Sequence, residues 1–80
     1  MEVELFEGAI DDGQLLETLE MQIPPRLGEH IVFGGIAARL GHFEIINVQH
    51  LIETRMVERE GYLSPEASIT LLRCGLMRLV

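Results

Sequence analysis

The chain contains no lysine, and all six of its basic residues are arginine. Without lysine the sequence lacks the Gly-Lys-Ser/Thr ending of a Walker A phosphate loop and the amine that Schiff-base catalysis requires. Both of these enzyme classes are therefore excluded.

Cysteine and long apolar runs are equally scarce. The single Cys74 cannot form a disulfide within the chain, which fits a reducing compartment and leaves apolar packing to hold the fold. No apolar run approaches the roughly 20 residues of a membrane span, and the opening stretch MEVELFEGAIDDG is acidic, unlike a secretory signal. We therefore expect a cytoplasmic protein with no membrane partner.

The apolar content is high for so short a chain. Its 80 residues predict one domain, residues 1–80, with a thin core, yet 48% of them are hydrophobic and the mean hydropathy is +0.24. We expect the chain to form a homo-oligomer that covers the surplus. The ending GLMRLV could dock on another subunit or pack on its own core. The candidate oligomer interface comprises Leu76, Met77, Leu79 and Val80.

Negative charge is concentrated in the first quarter of the chain. Seven acidic residues precede the first arginine, Arg26, whereas six acids face five arginines from Glu29 onward, so this segment accounts for the formal net charge of −7. Such a chain repels phosphate backbones, which argues against direct nucleic-acid binding. The segment either maintains solubility or forms an acidic docking face for a basic protein partner. The residues of that candidate face are Glu2, Glu4, Asp11 and Asp12.

Alternation of apolar and polar residues predicts most of the strands. The stretch EVELF, residues 2–6, has the two-residue period of a half-buried strand, and DDG at 11–13 predicts a turn. Residues 14–22 fit either a short helix or a strand, and alternation favours the strand. The two prolines at 24 and 25 end either element.

The segment PPRLGEH, residues 24–30, is interpreted as a connector into a strand. Pro25 restricts the chain, Gly28 permits a conformation closed to other residues, and HIVF follows as a nearly continuous apolar strand. The connection GGIAARLGH has room for one helical turn at IAARL.

The second half of the chain opens with its strongest strand signal. In HFEIINVQHLIET the apolar positions change parity between Ile45 and Ile46, which predicts a strand with a bulge or one buried on both faces. RMVERE could continue this strand, and GYLSP predicts a turn. Residues 65–74 fit a helix that Pro65 begins and Gly75 ends, but alternation favours a strand.

These patterns predict a mainly β fold, or an α+β fold with one short helix, arranged as a small barrel or strongly bent antiparallel sheet of about five strands. The order of PPRLGEHIVF and GHFEIINVQH, over residues 23–52, resembles small SH3-like β-barrel modules. That resemblance implies an interaction or assembly module, of a kind found in phage and mobile-element proteins among others. The resemblance assigns no functional residue to this chain.

Candidate chemistry is sparse. The side chains of metal-ligand type are His30, His42, His50 and Cys74, and no two of them have the short spacing of a zinc site. No Ser, Thr or Cys lies in a nucleophile motif. We therefore expect no cofactor and no metal, and the alternative is an enzyme or metal site formed between subunits, converging on His30 and His50.

The sequence thus favours a non-enzymatic, self-associating interaction module. Two alternatives remain at this point. One is an acidic inhibitor or nucleic-acid mimic that binds a basic protein, and the other is the site formed between subunits.

Overall fold

The computed structural model describes residues 1–79, which form one five-stranded sheet and one short 3₁₀ helix. In chain order the elements are β1 (Glu2–Glu7), β2 (Gln14–Glu20), β3 (His30–Val32), the 3₁₀ helix (Gly35–Leu40), β4 (His42–Arg59) and β5 (Tyr62–Leu79).

The strands form a curled half-barrel, which confirms the prediction of a small, mainly β fold. The order across the sheet is β2-β1-β5-β4-β3, and every pairing is antiparallel except that of β1 with β5. The sheet is therefore mixed rather than wholly antiparallel. It is also open, with β2 and β3 at its two edges, so closure does not remove the sheet edges.

The first two strands follow the predicted pattern. In β1, Val3 and Leu5 point into the core while Glu4 lies on the other face, as the two-residue period requires. β2 pairs antiparallel with β1, with Leu19 opposite Val3, so the ambiguous stretch is a strand over residues 14–20.

The PPRLGEH segment is a turn that leads into β3, as predicted. Gly28 has φ +85°, and its N–H donates to the carbonyl of Ile45 at 2.8 Å. The Arg26 N–H donates to Glu29 Oε1 at 2.7 Å, and Glu29 N–H donates back to the Arg26 carbonyl at 3.1 Å. These bonds fasten the connector to β4 and place β3 beside it.

β4 and β5 are each 18 residues long and form a hairpin that runs the length of the molecule. The continuation of β4 into RMVERE is confirmed as far as Arg59, and a bulge lies between Ile45 and Asn47, where the apolar parity changes. The predicted turn at GYLSP is too long: the turn consists of Glu60 and Gly61, and residues 62–65 already belong to β5. The alternative helix over 65–74 does not form.

The core lies in the concavity of the half-barrel. Its buried side chains come from β1, β4, β5 and the segment after β3, and the 3₁₀ helix covers it with Ala37 and Leu40. The rings of Phe33 and Phe43 pack edge to face with their centroids 5.8 Å apart. The buried cluster consists of Val3, Leu5, Phe33, Phe43, Ile45, Leu72, Cys74 and Leu76.

The molecule is much longer than this core. Its principal dimensions are 57 × 25 × 19 Å and its radius of gyration is 15.9 Å, whereas a compact chain of this length would have a radius of about 12 Å. The difference arises from the β4–β5 hairpin, which projects beyond the core. Within residues 1–79, no helix has the length and apolarity needed to cross a membrane.

Gly75 provides a test of the packing on the convex face of the sheet. A Cβ on this buried residue would lie 2.8 Å from the carbonyl oxygen of Gly8 and 3.3 Å from Asn47 Cβ. We expect Gly75→Ala to lower the free energy of unfolding by about 1–3 kcal/mol, because the β1–β2 loop must move away. Urea denaturation measures the change.

The matched control is Gly34→Ala. Gly34 has an extended backbone (φ −121°) and open space around the position of a Cβ. The free energy of unfolding of this variant should be unchanged or slightly higher than that of the wild type. Equal losses in the two variants would contradict the packing described for Gly75.

Candidate interaction surface

The outer half of the β4–β5 hairpin is a two-stranded ribbon that we call the arm, residues 50–71. No other strand within residues 1–79 pairs with it, because β3 pairs with residues 42–44 of β4 and β1 with residues 72–76 of β5. Nearly all of its side chains are exposed. A two-stranded ribbon is only marginally stable in water by itself. The arm is therefore the part of the molecule that most lacks a packing partner.

The tip of the arm explains how the hairpin forms. Glu60 (φ 51°) and Gly61 (φ 85°) make a two-residue turn with both φ angles positive, the geometry whose twist matches that of paired strands. Arg59 and Tyr62 are the partners that flank it. Glu60 is the only residue other than glycine with a positive φ among residues 1–79.

The pairing register gives the arm one apolar face. Directly opposite residues share a face of an antiparallel ribbon, and here Ile52 lies opposite Ile69, Thr54 opposite Ala67, and Met56 opposite Pro65. The large members of this face are between 44% and 63% exposed. We call it the apolar face. It consists of Ile52, Thr54, Met56, Leu63, Pro65, Ala67 and Ile69, with Glu58 at the tip.

The opposite face of the arm carries most of the charge. Arg55 lies opposite Glu66, and Arg59 Nη2 donates to Glu66 Oε1 at 3.2 Å. Glu53 and Ser68 continue this polar surface toward the body. The arm is therefore partly amphipathic, since Val57 and Tyr62 also lie on this face and Tyr62 is 63% exposed.

Both long sides of the arm are free backbone edges, but they are not equivalent. The residues that flank a two-residue turn exchange backbone hydrogen bonds, and bonded and non-bonded pairs then alternate along the ribbon. Arg59 and Tyr62 are a bonded pair, so Met56 and Pro65, three pairs further from the turn, are a non-bonded pair. The backbone nitrogen of Pro65 therefore points away from β4, toward the free edge. Because proline has no N–H, the β5 edge lacks a donor midway along the arm. On the β4 edge, Ile52, Thr54, Met56 and Glu58 all present outward N–H and C=O groups.

A shallow groove of about 220 Å³ lies on the arm and is lined by Thr54, Arg55, Met56 and Pro65. Its lining places no histidine, carboxylate or cysteine beside the Thr54 hydroxyl.

Two of the three histidines lie side by side, and they are not the two named for a site between subunits. His30 on β3 and His42 on β4 lie together, with His42 Nε2 and His30 Nδ1 3.3 Å apart, and Glu44 Oε1 lies 3.7 Å from His30 Nε2. His50 lies opposite Leu72 and is exposed, and Cys74 is fully buried, where desolvation raises the pKa of its thiol. No group of three or more metal-ligating side chains is found within residues 1–79.

Sequence reasoning missed the contact between His30 and His42. They are 12 residues apart, and the contact depends on the register of the three-residue β3, in which His30 lies opposite Glu44 and Val32 opposite His42. No spacing rule for metal ligands detects such a pair.

The four residues of the predicted acidic face lie in two places. Glu2 and Glu4 are on β1, and Asp11 and Asp12 are exposed in the turn that follows β1. Glu4 Oε1 accepts a hydrogen bond from Arg73 Nε at 2.9 Å. One of the four charges is thus already paired within the chain.

The predicted oligomer interface at the end of β5 is divided between core and surface. Leu76 is fully buried in the core of its own chain, so it offers no surface to a partner. Met77 is 46% exposed and Leu79 is partly buried. Val80 lies outside the described residues.

Arg78 holds β1, β5 and the end of the 3₁₀ helix together. Its guanidinium donates to both carboxylate oxygens of Glu7, at 2.8 and 3.1 Å, and to the Leu40 carbonyl at 2.8 Å. It also lies 4.6 Å from the centroid of the Phe43 ring. This cluster closes the end of the core that is opposite the arm.

Comparison of the chain with protein-family models, with curated proteins and with solved structures finds no significant match.

The pair of Glu7 and Arg78 predicts a pH dependence. The hydrogen bonds from Arg78, helped by its positive charge, lower the pKa of Glu7 below its usual value of 4.5. A carboxyl whose pKa is lowered in the folded state stabilises the fold above its unfolded pKa and loses that effect as the pH falls through its folded pKa. We therefore expect Glu7→Gln to be less stable than the wild type at neutral pH, with the difference fading below the usual pKa. Urea denaturation at neutral and acidic pH measures it.

The control for this prediction is the same substitution in an Arg78→Met background. With the guanidinium absent, Glu7→Gln should produce no such pH-dependent difference. A difference that persists unchanged in that background would assign the effect to a group other than Arg78.

Proposed function

We propose that this chain is a non-enzymatic assembly module that binds further copies of itself through the arm. The observation that carries the proposal is the apolar face of the arm. It is a continuous row of half-exposed apolar side chains on a ribbon that nothing else in residues 1–79 pairs with. Exposed apolar patches of this kind are typical of interaction sites.

Energetic considerations support contact with a partner. Covering a side chain that is already half buried gains roughly 1 kcal/mol, and the face has four large apolar members per copy. A contact that covered all eight in two copies would gain about 8 kcal/mol, within the association cost of about 4–15 kcal/mol, and a contact along one edge of the arm covers fewer of them. Apolar burial alone thus predicts weak association, which further contacts would strengthen.

Bonds within the chain reduce the charge that β1 offers to the alternative function, an acidic inhibitor or nucleic-acid mimic, although Asp11 and Asp12 remain exposed. Glu4 and Glu7, which project from β1, are bonded to Arg73 and Arg78 of the same chain. Carboxylates that are already paired attract a basic partner less than free ones do.

The test compares two substitutions that add the same charge to opposite faces of the arm. Met56→Glu places a carboxylate on the apolar face, whereas Ser64→Glu places one on the polar face, one position along β5 from the Met56 partner Pro65. In sedimentation velocity at about 1–100 µM, the wild type and Ser64→Glu should associate. Met56→Glu should shift toward the monomer by at least about tenfold in dissociation constant, because burying the new carboxylate is costly.

Circular dichroism confirms that each variant is folded. A wild type that is monomeric throughout this concentration range, or equal association by both variants, would contradict the proposal.

A further inference from the structure

We infer that two copies pair through the β4 edges of their arms, antiparallel and in one register, around a twofold axis at Thr54. The result is a four-stranded sheet of two arms. This inference rests on the proposed function, since it specifies how the copies bind.

The β4 edge is the side of the arm that can pair without interruption. Pro65 removes an outward donor from the middle of the β5 edge. The β4 edge has its donors in place, because its outward-facing residues within the arm are even-numbered, from His50 to Glu58, and none of them is proline. Charged or proline-bearing edges are the usual protection against edge pairing, and here only β5 has the proline.

A twofold axis at Thr54 makes the β4 sequence complementary to itself. Residue i of one copy then lies opposite residue 108 − i of the other, so outward-facing residues meet outward-facing ones, as antiparallel hydrogen bonding requires. Each unlike pair occurs twice by symmetry. The resulting pairs are Thr54 with Thr54, Glu53 with Arg55, Ile52 with Met56, Leu51 with Val57, His50 with Glu58, and Gln49 with Arg59.

Every one of these pairs joins compatible side chains. Glu53 meets Arg55 as an ion pair on the polar side, and Ile52 meets Met56 on the apolar face. Pairs of opposite charge and pairs of apolar residues are the combinations that stabilise adjacent strands. The two apolar faces lie side by side, so the pairing produces one wider apolar surface.

Neighbouring registers are less favourable. An axis at Glu53 or at Arg55 places that charged residue opposite its own copy. An axis at Met56 places Arg55 opposite Val57 and Thr54 opposite Glu58, and shortens the paired segment. The register at Thr54 alone pairs both Glu53 and Arg55 with an opposite charge.

The length of the free edge fits the same register. The backbone of Ile45 is already bonded to Gly28 and Glu29, so the free edge of β4 begins at Ile46. With Gln49 opposite Arg59, the turn of the second copy lies beside residues 47 and 48, before the connector is reached. Five opposed outward-facing pairs, from His50 to Glu58, would make roughly ten hydrogen bonds between the copies.

The first test is cross-linking by cysteine. Thr54 and Ala67 are opposite each other on one rung of the arm, both exposed, but they lie on different edges. At the twofold axis the two Thr54 Cα atoms would be about 5.5 Å apart, within the range of a disulfide. With oxidised glutathione, Thr54→Cys should form a covalent dimer at least about tenfold faster than Ala67→Cys. Wild type, whose Cys74 is buried, should form none.

The second test exchanges the charges of the central ion pair. Glu53→Arg places arginine opposite Arg55 of the other copy, and Arg55→Glu places glutamate opposite Glu53. Each single variant should weaken dimerisation by roughly tenfold. The double variant E53R/R55E restores opposite charges in this register only, and should recover most of the wild-type affinity by sedimentation equilibrium.

The outcomes separate this inference from the function on which it rests. Association of the wild type with faster cross-linking at Ala67→Cys, or without recovery in E53R/R55E, would overturn the β4 pairing and leave self-association intact. A monomeric wild type would overturn both. Preferential cross-linking at Thr54→Cys together with recovery in the double variant supports the proposed register.

Discussion

The ladder between β4 and β5 is the interaction on which the rest of the structure depends. It is the longest pairing in the sheet, and both β1 and β3 attach to its inner half. Through it, Phe43 and Ile45 of β4 meet Leu72, Cys74 and Leu76 of β5 in a core that neither strand could form alone. The same ladder carries the chain beyond that core, so one set of hydrogen bonds builds both the body and the arm.

As a result, the apolar side chains of β4 and β5 are covered in the body and exposed in the arm. In the body, the half-barrel, the 3₁₀ helix and the Phe33 segment cover them. In the arm, the apolar face follows the same ladder outward but has no covering layer within residues 1–79. A sheet face of this composition is normally packed against a second layer. The proposed pairing joins two such faces side by side, bringing Ile52 of one copy against Met56 of the other, and leaves the widened face uncovered.

The sequence predicted those elements whose local pattern agrees with their packing. The alternation in β1 marks its buried face because Val3 and Leu5 enter the core, and the change of parity after Ile45 marks the bulge. The helix signal around Pro65 was misleading, because pairing of Ile69 with Ile52 outweighs the local helix preference. Pro65 is tolerated in the strand because its nitrogen faces the free edge.

Long-range placement could not be predicted in the same way. Alternation assigns residues to one face of a strand, but it does not show whether another part of the chain will cover that face. The exposure of the arm could therefore not be predicted from any local pattern. The contact of His30 with His42, the burial of Leu76 and the pairing of Glu7 with Arg78 each depend on the register between distant strands. The amphipathic arm itself becomes visible only when the β4 and β5 residues are aligned.

Hydrogen–deuterium exchange at two protein concentrations tests the central claim most directly. If copies of the chain protect the arm, the amides of Ile52, Thr54 and Met56 should exchange slowly in concentrated solution and quickly after dilution, while amides of the core strands exchange slowly in both. Rapid exchange of these arm amides at both concentrations would contradict the account.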